Sequence, residues 1–197
     1  MALFLLRHGQ TDWNAEKRFQ SRSDVPLNET GREQARRIRR RLEAMGTVFV
    51  RVKTSPLRRA LDTANIITAG STPIPEIDES LLEISLGDFE GVYEATLKET
   101  IGDGFDRWRS LHFTEAAPNG ETLFEAIERV QPLLSNLITM SADQNVLMVG
   151  HQGINMAIMS ALSKRQDLGS LADFRQRNDQ IEVWDSARGE RMERIDV

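Results

Sequence analysis

"LFLLRHGQTDWN" (residues 3–14) opens with four apolar residues that run directly into Arg7 and His8. A short apolar run of this kind predicts a buried strand. A second run, "VLMVGHQG" (146–153), passes in the same way into His151. Because ligands of open parallel sheets bind at the carboxyl ends of the strands, we expect both histidines at one functional edge of a sheet.

The rest of the chain alternates between strand and helix patterns. Strands are predicted at 2–6, 48–53 and 145–149, with two more around a turn at 187–189, and helices at 28–45, 57–67, 93–101, 105–111, 123–137 and 153–162. Ser55 and Pro56 are expected to cap and open the second helix, and Pro132 to bend the fifth. The pattern predicts an α/β fold: a single domain (1–197) with a mostly parallel sheet, helices on both faces and an antiparallel strand near the C-terminus.

The composition is that of one globular domain. The 197 residues are 40% hydrophobic and 28% charged, enough to bury a core. The chain has no cysteine, which excludes disulfides and thiolate metal sites. No apolar run reaches the ~20 residues of a membrane span and no signal peptide is recognisable, so we expect a soluble, cytoplasmic protein with no membrane partner. The net charge of -5 disfavours a nucleic-acid partner.

Arginines are concentrated in "GREQARRIRRRLEAMG" (31–46). The apolar residues of this stretch fall on one face of a helix and leave the arginines to the other faces. They are Ala35, Ile38, Leu42 and Met45. Charge runs on amphipathic helices are usually solvated, so the pattern favours a surface over a basic binding patch.

An anion fits the predicted edge of the sheet better than a metal ion does. Arg7 would repel a cation beside His8, and no third histidine or cysteine follows with ligand spacing. The stretch "TSPLRRALDTA" (54–64) adds a helix N-terminus with Arg58 and Arg59. A guanidinium group binds phosphate through two hydrogen bonds, and we expect one of the two arginines to serve this purpose while the other lies on the surface.

With these residues assembled, the chain resembles the histidine phosphatase superfamily, also called the phosphoglycerate-mutase-like family. A single arginine-histidine-glycine triplet occurs often by chance, but here an ordered set of motifs covers most of the chain. The motifs are "RHGQTDWN" (7–14), "DVPLNETGREQA" (24–35), "SPLRRALDTA" (55–64), "LLEISLGDFEG" (81–91), "PNGETL" (118–123) and "GHQG" (150–153). The resemblance implies a phosphoglycerate-mutase-like fold.

The resemblance also implies a phosphohistidine intermediate on His8, from which water releases phosphate in the phosphatases of the family. Arg7, Arg59 and His151 match the phosphate pocket of the family, and Glu83 matches its proton donor. Arg59, rather than its neighbour, falls on the motif position. Further phosphate or substrate contacts are expected from Asn14, Gln20, Ser21 and Gln152.

The chemistry of phosphoryl transfer accounts for the same roles. Catalysis rests on positioning and on charge around the phosphate oxygens, which two guanidinium groups and a cationic His151 would supply. The same charges would keep His8 neutral and nucleophilic. A carboxyl group near a phosphate is pushed towards its protonated form, which suits Glu83 as the acid; Glu90 and Glu121 are alternatives.

Departures from the family bear on the choice between phosphatase and mutase. Ser21 stands where the family usually has glycine in a loop beside the phosphate, so we expect an altered approach of the backbone to the phosphate there. Glu94 stands where mutases carry a lysine for the substrate carboxylate, and the chain has little room for their insertion. We therefore expect a phosphomonoesterase acting on a small phosphorylated metabolite. A cofactor-dependent phosphoglycerate mutase and a non-catalytic phospho-ligand binding protein are the alternatives.

A helical insertion at about 92–120 is expected to cover the substrate. Within it, Arg107 and Arg109 flank Trp108, and these residues either line the substrate or lie on a helix surface. His112 has no setting comparable to the other histidines and is interpreted as structural. We expect no cofactor and no metal, and the sequence leaves a homodimer open. Neither the Rossmann nor the P-loop glycine pattern occurs.

Overall fold

The structure, a computed structural model, describes residues 1–69, 73–111, 115–138, 144–165 and 172–197. A six-stranded sheet contains β1 (Ala2–Arg7), β2 (Arg51–Thr54), β3 (Glu76–Ile77), β4 (Asn145–Gly150), β5 (Gln180–Asp185) and β6 (Glu190–Asp196). The helices of the described ranges are α1 (Asp12–Ala15), α2 (Glu29–Ala44), α3 (Arg58–Thr68), α4 (Glu94–Ile101), α5 (Asp103–Leu111), α6 (Leu123–Ile138) and α7 (Gln152–Ser163). Two short 3-10 turns lie at Glu79–Leu81 and Gly87–Phe89.

The strand order β3-β2-β4-β1-β5-β6 places β1 and β4 side by side in the sheet. The first four strands are parallel, whereas β5 and β6 are antiparallel additions. The register pairs Arg7 with Gly150. Because His8 and His151 are the next residues along each strand, both leave the sheet at the same edge, as the sequence predicts.

Alternating side chains build one hydrophobic core on each face of the sheet. Leu3 and Leu5 of β1 face the core formed with α6 and α7, whereas Phe4 and Leu6 face the core formed with α2 and α3. All four side chains are buried. Burying one leucine contributes about 2 kcal/mol, so packing from both sides holds β1 firmly beneath His8.

Helix α2 carries the arginine run on its solvent side, which confirms the interpretation as a solvated face. Arg36, Arg39 and Arg40 form ion pairs with glutamates of the same helix. The inner face buries Ile38 among other apolar residues. Met45 differs from the prediction, because it is the C-cap residue beyond the last turn and is 37% exposed.

Ser55 does not cap a helix, contrary to the prediction. Helix α3 begins at Arg58, and its N-cap residue, Leu57, makes no capping hydrogen bond through a side chain. The Oγ atom of Ser55 accepts from Leu57 N at 3.4 Å, just before the helix, and lies 2.8 Å from Nε2 of His151. The Ser55 hydroxyl therefore joins the turn before α3 to the end of β4.

The other predicted helices agree with the structure to within two residues. Helix α6 continues across Pro132, and the expected bend there stays a prediction. Strand β2 begins at Arg51, later than predicted, and α1 is missing from the prediction because one helical turn has no apolar periodicity. In the described part of the chain, no helix combines the length and the apolar character that crossing a membrane requires.

Helices α4 and α5 are attached to the rest of the domain by a third hydrophobic cluster, centred on Trp108. The rings of Phe19 and Phe89 meet the Trp108 ring edge to face, at centroid distances of 5.8 and 5.1 Å. Such aromatic pairs add to the energy of burial. The cluster therefore ties the predicted covering segment to the loop that follows α1.

Candidate active site

A cavity of about 250 Å³ lies at the edge of the sheet where β1 and β4 end. The residues expected there from the sequence line this cavity, except for His151. They are Arg7, His8, Asn14, Gln20, Ser21, Arg59, Glu83 and Gln152. Arg18 also lines the cavity, although the sequence did not single it out. Its guanidinium group lies 3.9 Å from the centroid of the Trp13 ring, and no local sequence pattern reveals this contact.

His8 presents Nε2 to the site in a fixed tautomer. Its Nδ1 lies 2.7 Å from the carbonyl oxygen of Gly9, which can only accept, so Nδ1 carries the proton. In agreement, Nε of Arg59 donates to Nε2 of His8 at 3.2 Å. The main chain is held as well, because His8 N donates to Gly150 O and Nδ2 of Asn178 donates to His8 O. The lone pair of the neutral ring is therefore on Nε2.

His151 lies beside His8, with ring centroids 5.0 Å apart, and is fully buried. Its Nδ1 accepts a hydrogen bond from Nε of Arg59 at 3.2 Å, which leaves Nε2 to donate to Oγ of Ser55 at 2.8 Å. Ser55 is thus a second site residue that the sequence analysis missed. Its place in the motif "SPLRR" was the available signal, and we assigned it to capping instead.

Both histidines are held neutral. Burial lowers the pKa of His8 well below its ordinary value, and the charges of Arg59 and Arg7 lower it further. Burial likewise lowers the pKa of His151, again with help from Arg59. The neutral His8 agrees with the expectation for a nucleophile. Desolvation and the neighbouring arginines lower the pKa of His151 in the chain alone, and the cationic His151 expected around a phosphate group stays a prediction.

Arg59 lies in the site, whereas Arg58 lies on the surface. Arg59 is only 1% exposed, and its Nη1 and Nη2 donate to the carbonyl oxygens of Ser23 and Ser21, each at 2.6 Å. Burial lowers the pKa of Arg59 to about 10, so the group remains charged at neutral pH. The structure thus separates two arginines that local sequence leaves equivalent.

Ser21 keeps the backbone conformation for which glycine is favoured. Its φ is 49°, in the left-handed region. The Ser21 hydroxyl donates to Ile84 O at 3.1 Å and accepts from Leu86 N at 2.8 Å, contacts that a glycine could not make. The altered approach of this backbone to phosphate stays a prediction, and the hydroxyl links this loop to the segment that carries Glu83.

Arg7 and Gln152 offer unpaired donors at the site. Nη1 of Arg7 donates to Oε1 of Gln152 and to Gln176 O, each at 3.2 Å. Arg7 Nε and Gln152 Nε2 are buried and have no hydrogen-bond partner among the described residues. Buried donors normally have partners, so the pair suits a ligand rich in acceptor oxygens.

Asn14 and Gln20 bring side-chain amides to the cavity. Oδ1 of Asn14 accepts a hydrogen bond from Thr11 N at 3.3 Å as part of the capping box of α1. The helix start therefore fixes the orientation of this amide group. Gln20 is 7% exposed, and its Oε1 accepts no hydrogen bond in the described ranges. Both amides are therefore available to a ligand, and the unpaired Oε1 of Gln20, which can only accept, suits a donor such as a hydroxyl group rather than an oxyanion.

Glu83 provides the sole carboxylate that lines the cavity within the described ranges. It accepts hydrogen bonds from Gly153 N at 3.1 Å and Ile154 N at 3.0 Å, in the first turn of α7. These hydrogen bonds fix the position of the carboxyl group beside the cavity. The alternatives lie elsewhere: Glu90 accepts from Oγ of Ser23, and Glu121 binds arginines outside the cavity lining. The geometry therefore favours Glu83 among the three carboxylates.

Two glycines bring distant motifs into backbone contact. A Cβ atom on Gly9 would lie 2.3 Å from Gly31 O, and one on Gly31 would lie 2.1 Å from Gln10 O. Gly9 N also donates to Oγ1 of Thr63 at 3.0 Å. The motif around His8 therefore requires glycine because α2 starts against its main chain.

Helix α5 contributes Trp108 and Arg109 to the cavity, but not Arg107. Arg107 pairs with Glu115 on the exterior, whereas Arg109 lies 3.9 Å from Glu94. His112 falls outside the described residues. Within the described ranges, no three histidine, aspartate or glutamate side chains group as metal ligands.

Comparison with known proteins shows to which family this chain belongs. The model of the histidine phosphatase superfamily (branch 1) matches residues 3–194. The chain belongs to this superfamily. Among its relatives, a probable phosphoglycerate mutase of Cronobacter sakazakii is 31% identical over 181 residues, covering 90% of this chain and 80% of the relative. A glucosyl-3-phosphoglycerate phosphatase of Mycolicibacterium vanbaalenii is 33% identical over 167 residues, covering 81% and 73%.

Solved structures agree with the fold of this histidine phosphatase. A mycobacterial glucosyl-3-phosphoglycerate phosphatase in complex with VO3 superposes with a TM-score of 0.85 at 30% identity, covering 92% of this chain and 91% of that one. A putative alpha-ribazole-5'-P phosphatase from Escherichia coli gives a TM-score of 0.80 at 26% identity, covering 93% and 89%. The expected fold is confirmed, and so is the enzyme class, a phosphoric monoester hydrolase.

Proposed function

We propose that this histidine phosphatase hydrolyses a small phosphorylated metabolite through a phosphohistidine on His8. Nε2 of His8 forms the bond to phosphorus as the ester P–O bond breaks, and Glu83 gives its proton to the leaving oxygen. Water then attacks the phosphohistidine while Glu83 takes up a proton. The hydrogen bond from Nδ1 of His8 to Gly9 O carries this proposal, because it puts the ring proton on Nδ1 and leaves the lone pair on Nε2, which accepts from Nε of Arg59 until a phosphate binds.

The surrounding charges suit the transition state of phosphoryl transfer. Arg7 and Arg59 are buried guanidinium groups placed to neutralise charge on the equatorial oxygens. His151 starts neutral, and a bound phosphate dianion would favour its protonation. Asn14 and Gln20 add neutral contacts; Gln152 adds a donor and holds Arg7 in place. Ser21 contributes its main chain, since its hydroxyl is engaged elsewhere.

The substrate end of the cavity favours hydrolysis over mutase chemistry. Trp108 and Arg109 line this space, and we infer that α4 and α5 cover the non-phosphate part of the substrate. Glu94 lies against Arg109 and offsets its charge, where mutases would add a lysine. Two named relatives act on phosphoglycerate derivatives, so phosphoglycerates and their glycosides are the first metabolites to test.

The variant His8→Ala tests the mechanism. We expect no acid-labile phosphoenzyme from a labelled substrate and a fall of at least about 1000-fold in kcat, because the atom that accepts the phosphoryl group is gone. The measurement is phosphate release from aryl phosphates, phosphoglycerates, sugar phosphates and nucleotides, with mutase activity assayed in parallel.

Arg58→Ala is the matched control, since it removes a surface group and should leave turnover unchanged. A near wild-type hydrolysis rate in His8→Ala would contradict the mechanism. Mutase turnover with negligible hydrolysis would assign the mutase reaction instead, and phosphate binding without either activity would favour the non-catalytic alternative. A cytoplasmic location and a homodimer stay predictions for cell fractionation and sedimentation.

A further inference from the structure

The segment that carries Glu83 belongs to no helix or strand. Residues 82–86 run between the two 3-10 turns without regular hydrogen bonding. Side chains from elsewhere bind its carbonyl groups instead: Nε of Arg22 donates to Glu83 O at 3.0 Å, and Oγ of Ser21 donates to Ile84 O at 3.1 Å. The backbone position of Glu83 therefore depends on these side chains rather than on a secondary-structure ladder.

Arg129 of α6 holds the same segment just before Glu83. Its Nη1 donates to Ser80 O at 2.7 Å, and its Nη2 donates to Leu82 O at 3.1 Å. Nε and Nη2 also bind the two carboxylate oxygens of Glu121, at 2.9 and 3.0 Å. This bidentate pair fixes the guanidinium plane and so the direction of the two hydrogen bonds to the backbone.

Glu121 connects both arginines to the segment. Its Oε2 accepts from Nη2 of Arg22 at 3.0 Å and from Ser85 N at 3.3 Å, and its own N–H donates to Ser85 O at 2.8 Å. The Glu121 side chain is 14% exposed, so solvent screens these contacts less than it screens ordinary surface ion pairs. One carboxylate thus organises the groups that bind the backbone on both sides of Glu83.

We propose that Glu121 is a positioning residue for the proton transfer, acting through Arg22 and Arg129 on the backbone that carries Glu83. This rests on the proposed function, in which Glu83 protonates the leaving oxygen. The first turn of α7 holds the carboxyl end of Glu83, and the Glu121 network holds its backbone end. Losing the network leaves the acid present but misplaced, and misplacement by about 1 Å can cost about 100-fold in rate.

Leaving-group dependence separates this role from a merely structural one. The variant is Glu121→Gln, and the probes are phenyl phosphate, whose leaving oxygen needs a proton, and 2,4-dinitrophenyl phosphate, whose leaving group departs without one. The quantity measured is kcat/KM, which reports the steps up to phosphohistidine formation. We expect a fall of about 10-fold for phenyl phosphate and less than about 2-fold for the dinitro compound.

Glu128→Gln is the matched control, because it removes the same charge from an exposed position on α6 and should change neither value. Glu83→Gln tests the acid itself and should show the same selectivity with a larger loss, about 100-fold. Equal losses on both substrates, or no loss on either, in Glu121→Gln would overturn the positioning role while Glu83→Gln stays selective. A Glu83→Gln variant without selectivity would instead remove the proposed acid, and the positioning role with it.

A second variant keeps the proposal testable if Glu121→Gln unfolds. Arg22→Gln removes the hydrogen bond to Glu83 O and one partner of Glu121, and the Arg22 side chain is 38% exposed, so the fold should tolerate the change. We expect the same selective loss on phenyl phosphate. Unchanged kcat/KM for both substrates in a folded Arg22→Gln protein would overturn the proposal.

Discussion

At the residue scale, His8 and His151 are buried bases in a cluster of cations. Their side chains are at most 3% exposed, and Arg59 donates to both rings through the same Nε. Burial first, and then the arginine charges, keep the pKa of each ring below its ordinary value. The nucleophilic form of His8 is therefore available below the pH at which a solvated histidine would protonate.

The same burial predicts a stability that depends on pH. The unfolded chain binds a proton on each histidine below pH 6.5, whereas the folded chain resists it, so the free energy of unfolding falls as the pH drops below that value. Between about pH 7 and about pH 5.5, protonation linked to each of these two histidines should lower the free energy of unfolding by about 1 kcal/mol. Urea unfolding of the wild type and of His8→Asn across this range measures the difference in slope. Identical slopes would show that His8 titrates normally in the folded protein.

At the element scale, the contacts between the end of β1 and the helices α2 and α3 fix where His8 leaves the sheet. Gly9 lies against Gly31 at the start of α2, and its N–H is bound by Thr63 of α3. The apolar layers on both faces hold β1, and the contact with Gly31 and the hydrogen bond to Thr63 help to set the path of the chain just after the histidine. The close approach of the Gly9 and Gly31 main chains explains why a glycine follows the nucleophile.

A pair of glycine variants tests this contact. Gly9→Ala would place Cβ 2.3 Å from Gly31 O, and we expect it to lower the free energy of unfolding by about 3 kcal/mol and to lower activity. Gly104→Ala in α5 is the control, since the nearest atom to its new Cβ would be Ile101 Cβ at 3.9 Å, and it should stabilise the protein by about 0.5 kcal/mol. Chemical unfolding measures both. Equal stability of Gly9→Ala and the wild type would show that the contact relaxes.

At the scale of the whole molecule, a chain of net charge -5 forms a cavity dominated by arginines. Among the residues that the structure describes, Arg7, Arg18, Arg59 and Arg109 line it against one carboxylate, Glu83. A concave site lined mainly by positive charges focuses the electric field and attracts small anions, whatever the overall charge of the protein. The cavity therefore suits a phosphate ester better than a metal ion.

Inorganic phosphate should stabilise the folded protein by binding there. At about 100 times its Kd, we expect the free energy of unfolding to rise by about 2.7 kcal/mol, with a higher Tm. Arg59→Lys should largely lose this shift because it cannot form the bidentate contact, whereas Arg58→Lys should keep it. A chelator should leave both the shift and the turnover unchanged. An equal shift in the two variants would place the phosphate elsewhere.

The sequence by itself determined the elements and their functional ends. The apolar runs that stop at His8 and His151 predict buried strands. Strands that alternate with helices predict a parallel sheet, whose strands end at one edge, so the local pattern predicted that both histidines lie there. The ordered motifs then indicated the family and singled out Arg59 and Glu83.

The tertiary structure alone decided what surrounds those groups. The lowered pKa of His151 depends on the depth of its burial and on Arg59, and the Ser55 hydroxyl reaches the His151 ring from another segment of the chain. Arg129 reaches Leu82 across 47 positions of sequence. Desolvation and long-range hydrogen bonds arise only when distant segments pack together, and periodicity along the chain carries no record of them.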